Sequence, residues 1–244
     1  MISTSFGIVG FGSMGKLIAQ ITSDLLPDSL IKIYEPNKNQ IQDGFEFHNL
    51  EETLQSDFLV LAVPTSALES ISKEVYNKIP QTTTIISISA MLEYSESILK
   101  KYFSNNSYLI SHPLFGPKTY EVHNNSIQGF EVVISNASNV SDISLINKKL
   151  QSVGVKCIFL NSSEHDKSLA KNHFIPLLLS HTLKDFEFPS PTILTNSAKN
   201  LGVFLDSTSY NLELIRDYML YNSYSNKELE NFKFLFDNIL KKLN

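Results

Sequence analysis

The first 160 residues alternate short apolar runs with segments whose apolar positions recur every three or four residues. Apolar runs of four to eight residues predict strands, and helical spacing between them predicts helices that cover a sheet. The pattern therefore predicts an α/β fold with a mostly parallel, doubly wound sheet buried on both faces. The predicted strands are SFGIVG, LIKIYE, GFEF, DFLVLAVP, TTIISIS, YLISHP, GFEVVIS and VKCIFL.

After about residue 161 the pattern is helical throughout. A long helix is predicted from Ser163, a candidate N-cap, to Phe186, with a kink or a break at Pro176. The turn-forming segment PSP at 189–191 is followed by predicted helices at about 192–205, 209–222 and 226–242. We therefore expect an α/β domain over residues 1–160 and a small all-α domain over residues 161–244.

The last two predicted helices, within YNLELIRDYMLY and ELENFKFLFDNIL, carry more apolar positions than about 80 residues can bury as a core of their own. Helices with such surplus apolar faces often complete their core against a second copy of the chain. We expect the helical domain to form a homodimer.

Charge and cysteine content exclude several classes of function. The net charge of −5 gives no reason to expect a nucleic-acid partner. No apolar run approaches the ~20 residues of a membrane helix, and no basic segment precedes an apolar run at the N-terminus, so we expect a cytoplasmic protein. The single cysteine, Cys157, excludes an internal disulfide and a cysteine-rich zinc site. We expect no bound metal and a buried, apolar Cys157.

The first predicted strand runs into GFGSMG, which places Gly10, Gly12 and Gly15 in the spacing G-x-G-x-x-G. In a dinucleotide site the first glycine permits a tight turn, the second admits the pyrophosphate, and the third lets the helix pack closely on the sheet. The phosphates would lie at the N-terminus of the helix that begins near Ser13. The pattern predicts a Rossmann-type domain.

Glu35 ends the second predicted strand, 20 residues after Gly15. A carboxylate there would bind the ribose diol and repel a 2′-phosphate, which favours NAD over NADP as the cofactor. LAVPTS ends the next strand, and its loop would cover the cofactor. The residues expected to bind the cofactor are Gly10, Phe11, Gly12, Ser13, Met14, Gly15, Glu35, Val63 and Pro64.

Two other interpretations of the glycines stay open. Residues 10–16 also fit G-x-x-x-x-G-K, the loop that binds nucleoside triphosphates. Leu17 then stands where that loop needs Ser or Thr as a magnesium ligand, so we favour the dinucleotide. The glycines could also belong to an ordinary turn.

The segment SHPLFGPKT, residues 111–119, places His112 at the end of a predicted strand among turn-forming residues. The residues alone leave His112 either as a catalytic group at the edge of the sheet or as a polar residue in a turn. The segment resembles the HPMFGP segment of the prephenate and arogenate dehydrogenases, especially the plant-type arogenate enzymes. EHDKSLAKNHF (164–174) and residues 190–222 resemble the same family, and the likeness runs from Gly7 to about Leu243.

The resemblance implies oxidative decarboxylation of a cyclohexadienol in tyrosine biosynthesis. Prephenate would give 4-hydroxyphenylpyruvate, and arogenate would give tyrosine. His112 matches the family's catalytic histidine, which would draw the proton from the C4 hydroxyl as hydride leaves. Because the substrate is a small anion, we expect cationic side chains around it. His165 and His173 are eight residues apart, so they should share roughly one face of the long helix. For the substrate that the resemblance implies, the candidate binding residues are Ser89, Gly116, Lys118, His173 and Lys199.

The sequence departs from the family in two places. Family members commonly carry Asp-x-x-Ser-x-Lys before the catalytic strand, whereas SISAML here aligns Ala90 with the serine and Leu92 with the lysine. Ser89 lies one position away. Several relatives hold a carboxylate with an arginine in the C-terminal helices, where this chain offers Lys199 and Arg216. A related NAD-dependent oxidoreductase with another small acid substrate and a catalytically silent NAD-binding homologue are therefore the alternatives.

Overall fold

The apolar runs of the first half form a sheet in the computed structural model of the protein. The structure describes residues 4–37, 44–137, 140–188, 193–207 and 211–243. It divides into two compact units, Met1–Ser162 and Ser163–Asn244. Within these described ranges the strands of the sheet are β1 Ser5–Val9, β2 Leu30–Tyr34, β3 Phe58–Leu61, β4 Thr84–Ile88, β5 Tyr108–Pro113, β6 Glu131–Ala137 and β7 Lys156–Phe159.

The strand order is β2-β1-β3-β4-β5-β6-β7. All neighbours pair in parallel except β5 and β6, which are antiparallel. The prediction of a mostly parallel sheet is therefore confirmed. The helices of this unit are α1 Ser13–Leu25, α2 Leu50–Leu54, α3 Thr65–Val75, α4 Leu92–Tyr102, α5 Pro117–Val122 and α6 Val140–Ser152.

The sheet is buried on both faces, as a doubly wound fold requires. Along β3, Phe58 and Val60 pack into the core cluster that includes α1, while Leu59 and Leu61 pack into the cluster that includes α3 and α4. Successive side chains of a strand point to opposite faces, so one continuous apolar run fills both cores. This burial fixes the position of the carboxyl edge of the sheet.

The segment GFEF is not a strand, contrary to the prediction. Phe47 forms only an isolated parallel bridge with Ile33 of β2. Phe45 and Phe47 nevertheless both contact the ring of Phe11 edge-on. The alternating apolar pattern is therefore real, but it reflects side-chain packing rather than strand pairing.

The second unit is helical, as predicted, and no strand occurs among its described residues. Helix α7 begins at Ser162, so Ser163 is a helical residue and not the predicted N-cap. A π-helical segment, Ala170–Phe174, separates α7 from the next helix, which begins at Ile175 with Pro176 in its first turn. The break expected at Pro176 is therefore a π-helical turn. The elements are α7 Ser162–Leu169, α8 Ile175–Asp185, α9 Asn196–Ser207, α10 Leu212–Tyr221 and α11 Ser225–Lys241.

Cys157 and the PSP segment differ in how far the structure describes them. Cys157 is a free thiol, but it is half-buried in β7 rather than fully buried, and its burial raises the pKa of the thiol. The predicted PSP turn lies outside the described residues.

Asp57 ties the start of β1 to the start of β3. One carboxylate oxygen accepts hydrogen bonds from the backbone N–H and the hydroxyl of Ser5, both at 2.8 Å. These bonds lower the pKa of Asp57. A carboxyl group with a lowered folded-state pKa stabilises the fold above its unfolded pKa, and that contribution is lost as the pH falls through the folded pKa.

We therefore expect Asp57→Asn to lower the free energy of unfolding at pH 7 and to cost progressively less below about pH 4. Urea denaturation of both proteins between pH 2.5 and pH 7 measures the difference. Asp237→Asn, at an exposed position on α11, is the control and should show no such trend. A cost of Asp57→Asn that is independent of pH would contradict the assignment.

Candidate cofactor site and active site

The three glycines of the loop after β1 have different structural roles. Gly10 has φ +96°, and a Cβ there would lie 2.6 Å from the carbonyl oxygen of Ala62. A Cβ on Gly15 would lie 2.1 Å from the carbonyl oxygen of Gly10. Gly12 has an ordinary φ of −67°, and a Cβ there would meet nothing within 4 Å. The fold itself therefore needs glycine at positions 10 and 15. At Gly12 the space that a side chain would fill is open.

The N-terminus of α1 faces this open space. Gly12 is its N-cap and gives it no side-chain hydrogen bond, and its first turn contains no acidic residue. Unpaired N–H groups at a helix N-terminus favour an anion such as a phosphate. Ser13 is exposed in the first turn, and Met14 is half-buried against the core. The loop therefore fits the pyrophosphate of a dinucleotide.

The nucleoside triphosphate interpretation fits the structure less well. Leu17 occupies the position of the magnesium ligand, and its side chain is buried in the core next to Ala19 and Ile21. Lys16 lies over the ring of Phe11, with its Nζ 5.6 Å from the ring centroid. No group of three or more metal-ligating side chains is found among the described residues.

Glu35 is held beside the glycine loop by two backbone amides. The N–H of Phe11 donates to Oε2 at 2.7 Å, and the N–H of Asn37 donates to Oε1 at 2.8 Å. Each carboxylate oxygen retains a further lone pair for a ligand. The ring of Phe11 is fully buried, so Phe11 can meet a ligand only through its backbone. The backbone N–H of Phe11, between Gly10 and Gly12, therefore helps to position the carboxylate of Glu35.

Val63 and Pro64 follow β3 and lie next to the loop. The N–H of Ala62 donates to the carbonyl oxygen of Val9 at 2.9 Å, and a Cγ of Val63 would lie 3.2 Å from a Cβ on Gly10. Val63 is half-buried, and Pro64 is exposed as the residue that precedes α3. The predicted cofactor residues are thus brought together at one edge of the sheet.

His112 is the second-last residue of β5 and is half-buried. It pairs with Val133 of β6, just after a shift in register between Leu109 and Ser111. Such irregularities often re-aim a side chain near an active site. Because β1, β3, β4 and β5 are parallel neighbours, His112 lies at the same carboxyl edge as the glycine loop, about 14 Å away across three strand spacings.

The residues after His112 turn the chain into α5. The N–H of Leu114 donates to the carbonyl oxygen of Glu131 at 2.9 Å, and Phe115 stacks on Phe130 with ring centroids 4.6 Å apart. Gly116 precedes α5 with φ −127°, and a Cβ there would meet nothing within 4 Å. Lys118 is exposed in the first turn of α5. Gly116 therefore resembles Gly12, because neither backbone angle nor packing requires a glycine.

Ser89 lies one residue beyond β4 and next to β5. Its N–H donates to the carbonyl oxygen of Ser111 at 3.1 Å. Its hydroxyl accepts a hydrogen bond from the N–H of Met91 at 3.0 Å, which closes the turn into α4. Leu92, at the position of the family's lysine, is fully buried. The structure thus places Ser89 near His112 and gives its hydroxyl a local structural role.

The second unit brings His173 together with Tyr218 of α10. His173 lies in the π-helical segment, and its Nδ1 is 2.7 Å from the hydroxyl of Tyr218. Burial lowers the pKa of His173, and burial together with the nearby Asp166 raises the pKa of Tyr218. Tyr218 was not expected from the sequence, since 45 residues separate it from His173 and no local pattern marks it.

The other candidate residues of this unit differ in burial. His165 and Asp166 are both buried, with the Nδ1 of His165 2.7 Å from a carboxylate oxygen of Asp166. The side-chain amide of Asn222 donates to the carbonyl oxygen of Asp166 at 2.9 Å, which favours a structural role for this pair. Lys199 on α9 and Arg216 on α10 are exposed.

The comparisons with known proteins place the fold in one family. The family model described as the prephenate dehydrogenase nucleotide-binding domain matches residues 30–159, more than half of the chain. The chain therefore belongs to this family. The match begins at β2, so the glycine loop is additional evidence that stands on its own geometry.

A curated relative and two crystal structures are similar to the chain. A protein of Methanocaldococcus jannaschii named probable arogenate/prephenate dehydrogenase is 25% identical over 162 residues, which cover 62% of this chain and 35% of that relative. The prephenate dehydrogenase of Aquifex aeolicus in complex with hydroxyphenyl propionate and NAD+ has a TM-score of 0.74 at 18% identity, covering 100% of this chain and 91% of that chain. The arogenate dehydrogenase of Synechocystis has a TM-score of 0.67 at 16% identity, covering 98% and 92%.

The family match and the structural similarity test the predictions of fold and family. The Rossmann-type α/β fold and the resemblance to the family are confirmed. The match spans 35% of the length of the curated relative. No helix among the described residues is long and apolar enough to cross a membrane.

The different roles of Gly12 and Gly15 can be separated by the same substitution at each. Gly12→Ala should change the free energy of unfolding by no more than about 1 kcal/mol, because the weaker N-cap is offset by a less flexible unfolded chain. Gly15→Ala should cost about 3 kcal/mol, because its Cβ collides with a backbone carbonyl. Urea denaturation measures both.

Although Gly12→Ala should hardly change stability, it should weaken the binding of NAD+. A methyl group in the open space should weaken binding more than about tenfold, as isothermal titration calorimetry would show. Unchanged affinity in a stable Gly12→Ala variant would contradict the placement of the pyrophosphate.

Proposed function

We propose that the protein is a prephenate or arogenate dehydrogenase, which oxidatively decarboxylates a cyclohexadienol with a nicotinamide cofactor in tyrosine biosynthesis. The observation that carries this proposal is the position of His112 at the same carboxyl edge as the glycine loop, in a chain of this family. Parallel α/β sheets bind their ligands at that edge. The proposed compartment is the cytoplasm, which suits the free thiol of Cys157.

The proposed cofactor is NAD, held by the glycine loop, Glu35, Val63 and Pro64. The N-terminus of α1 would bind the pyrophosphate at Gly12, and Glu35 would bind the ribose diol. Both oxygens of Glu35 already accept backbone N–H groups, which supports NAD over NADP because the carboxylate is fixed where a 2′-phosphate would stand. When bound, NAD+ supplies a hydride acceptor for the C4 carbon of the ring.

His112 is proposed as the catalytic base. Its imidazole would accept the proton of the C4 hydroxyl as the C4–H bond breaks, so that the C4–O bond gains double-bond character. The bond to the ring carboxylate then breaks, carbon dioxide leaves, and the electron pair makes the ring aromatic. The product is a phenol, so His112 returns the proton to the ring oxygen and is ready for another turnover.

Five residues are proposed to bind the substrate, and each is supported by its own surroundings. In the first unit, the open space at Gly116 supports close approach of a ligand, and Lys118 offers a cation on the adjacent turn. Ser89 is retained as a candidate because its backbone bonds to the residue before His112. In the second unit, His173 and the exposed Lys199 are the candidates.

A catalytically silent NAD-binding homologue is the second candidate function. The observation that favours it is Leu92, whose buried side chain stands where the family commonly carries a lysine, together with a Ser89 hydroxyl engaged in a turn. Binding of NAD+ without turnover of either substrate would support this second function.

The proposal predicts dehydrogenase activity that depends on His112. The purified protein should reduce NAD+ in the presence of prephenate or arogenate, with a slower reaction for NADP+, as read from the absorbance of the reduced nicotinamide. His112→Asn should lower kcat by about 10²–10⁴-fold, because the base is removed.

NAD+ affinity, measured by calorimetry, is the control and should be unchanged in His112→Asn. His123→Asn, at an exposed position on the same unit, is the matched variant and should keep full activity. Full turnover by His112→Asn would refute the mechanism.

We also propose that the helical unit forms a homodimer through α10 and α11. The supporting observation is a set of exposed apolar side chains on α10 and α11, among them Leu220 (65% exposed), Phe234 (62%) and Phe236 (56%). Exposed apolar surface of this kind marks an interaction site.

A charge in this surface should disrupt the dimer. Phe236→Asp should halve the mass measured by light scattering after size exclusion, because an unpaired carboxylate would be buried on association. Phe159→Asp, at an exposed aromatic position of β7 in the first unit, is the matched control and should keep the mass of the wild type. A wild-type protein that is monomeric at all concentrations would contradict the dimer.

A further inference from the structure

The hydrogen bond between His173 and Tyr218 fixes more than the position of the imidazole. The hydroxyl of Tyr218 lies 2.7 Å from Nδ1, and the two rings meet edge to face with centroids 5.5 Å apart. Tyr218 is fully buried, while His173 is half-buried. Phe174 contacts the ring of Tyr218 with centroids 5.6 Å apart. The phenol therefore has little freedom to turn its hydroxyl elsewhere.

The direction of this hydrogen bond follows from the requirement that the buried phenolic proton have an acceptor. Among the described residues, Nδ1 of His173 is the one hydrogen-bond partner of the Tyr218 hydroxyl. If the imidazole donated, the phenolic proton would be buried without an acceptor, which is costly. The phenol therefore donates and Nδ1 accepts. Burial keeps both groups neutral, since it raises the pKa of Tyr218 and lowers the pKa of His173.

A neutral imidazole that accepts at Nδ1 carries its proton on Nε2. Within the part of the chain that the structure describes, Nε2 of His173 has no hydrogen-bond partner, and it is not among the fully enclosed polar atoms. The exposed nitrogen of His173 is therefore an N–H donor without a lone pair. It can bind an oxygen anion, but it cannot remove a proton from a ligand.

We propose that Tyr218 is a positioning residue, whose hydroxyl holds His173 in the Nε2–H tautomer and so presents a neutral hydrogen-bond donor to a carboxylate oxygen of the substrate. The identity of the ligand rests on the proposed function, whereas the tautomer does not. A histidine held in this tautomer lacks a lone pair on its exposed nitrogen, so His173 can bind an anion but cannot act as a base.

The tautomer can be measured directly in the free protein by ¹⁵N nuclear magnetic resonance. Long-range ¹H–¹⁵N correlations distinguish Nε2–H from Nδ1–H, and the signals missing from His173→Gln assign the residue. The wild type should show the Nε2–H form, and Tyr218→Phe, which keeps the ring but removes the hydroxyl, should show a mixture of both forms. Tyr224→Phe, whose lost hydroxyl contacts Ser163 instead, should retain the wild-type tautomer.

Two results of this measurement would overturn the proposal. One is a wild-type His173 with its proton on Nδ1. The other is an Nε2–H tautomer that persists unchanged in Tyr218→Phe, since the phenol would then not determine it. Circular dichroism of the variants verifies that they are folded.

Steady-state kinetics test the contact with substrate. Only the Nε2–H form can donate to the substrate, so Tyr218→Phe should raise KM for the turned-over substrate by about the inverse of the fraction of that form in the mixture and leave kcat within about twofold. Tyr224→Phe should change neither constant. An unchanged KM in Tyr218→Phe would overturn the substrate contact. If the wild type turns over neither substrate, the proposed function fails, while the tautomer measurement still decides the role of Tyr218.

Discussion

The close contact of α1 with the end of β1 is the constraint on which the first unit depends. Only a glycine at position 15 lets the helix approach the carbonyl of Gly10, where a Cβ would lie at 2.1 Å. That approach seats Leu17, Ala19 and Ile21 in the core and turns the N-terminus of α1 toward the carboxyl edge of the sheet. A helix set further from the strand would leave the core short of contacts and move its unpaired N–H groups away from Gly12.

The same edge collects groups from strands that are distant in sequence. Parallel pairing sends the ends of β1, β3, β4 and β5 to one side, so the glycine loop, Val63, Ser89 and His112 lie along a single line. The pattern changes at the last of these strands, because β5 pairs with β6 in antiparallel fashion, and the register of that pairing shifts between Leu109 and Ser111, just before His112. The direction of the strands thus decides which residues meet at this edge.

Much of this architecture could be predicted from local patterns. Apolar runs predicted the strands of the sheet because burial on both faces demands them, and the glycine spacing predicted the loop because packing and backbone angle require Gly10 and Gly15. Helices α2 and α5 were missed, since five or six residues are too few to show a helical period. The cap that Asn49 provides for α2, by accepting from the N–H of Glu52, is a signal that could have revealed it.

Contacts between distant residues account for what the sequence could not reveal. The role of Tyr218 depends on a partner 45 residues away, and the bond from Phe11 to Glu35 depends on how β2 lies beside β1. The π-helical turn also changes the angular relation of His165 and His173 from that of a continuous α-helix. Periodicity did not predict this turn, because the apolar period is recognised over several turns, whereas one additional residue shifts its phase at a single point.

The two amide bonds to Glu35 have a thermodynamic consequence for any ligand that uses this carboxylate. Ordering a long acidic side chain on association normally costs conformational entropy, and this cost weakens the affinity. Here that ordering is completed when the chain folds, so the carboxylate is preorganised. Loosening the loop at Asn37 would therefore weaken affinity through entropy alone, without removing a single ligand contact.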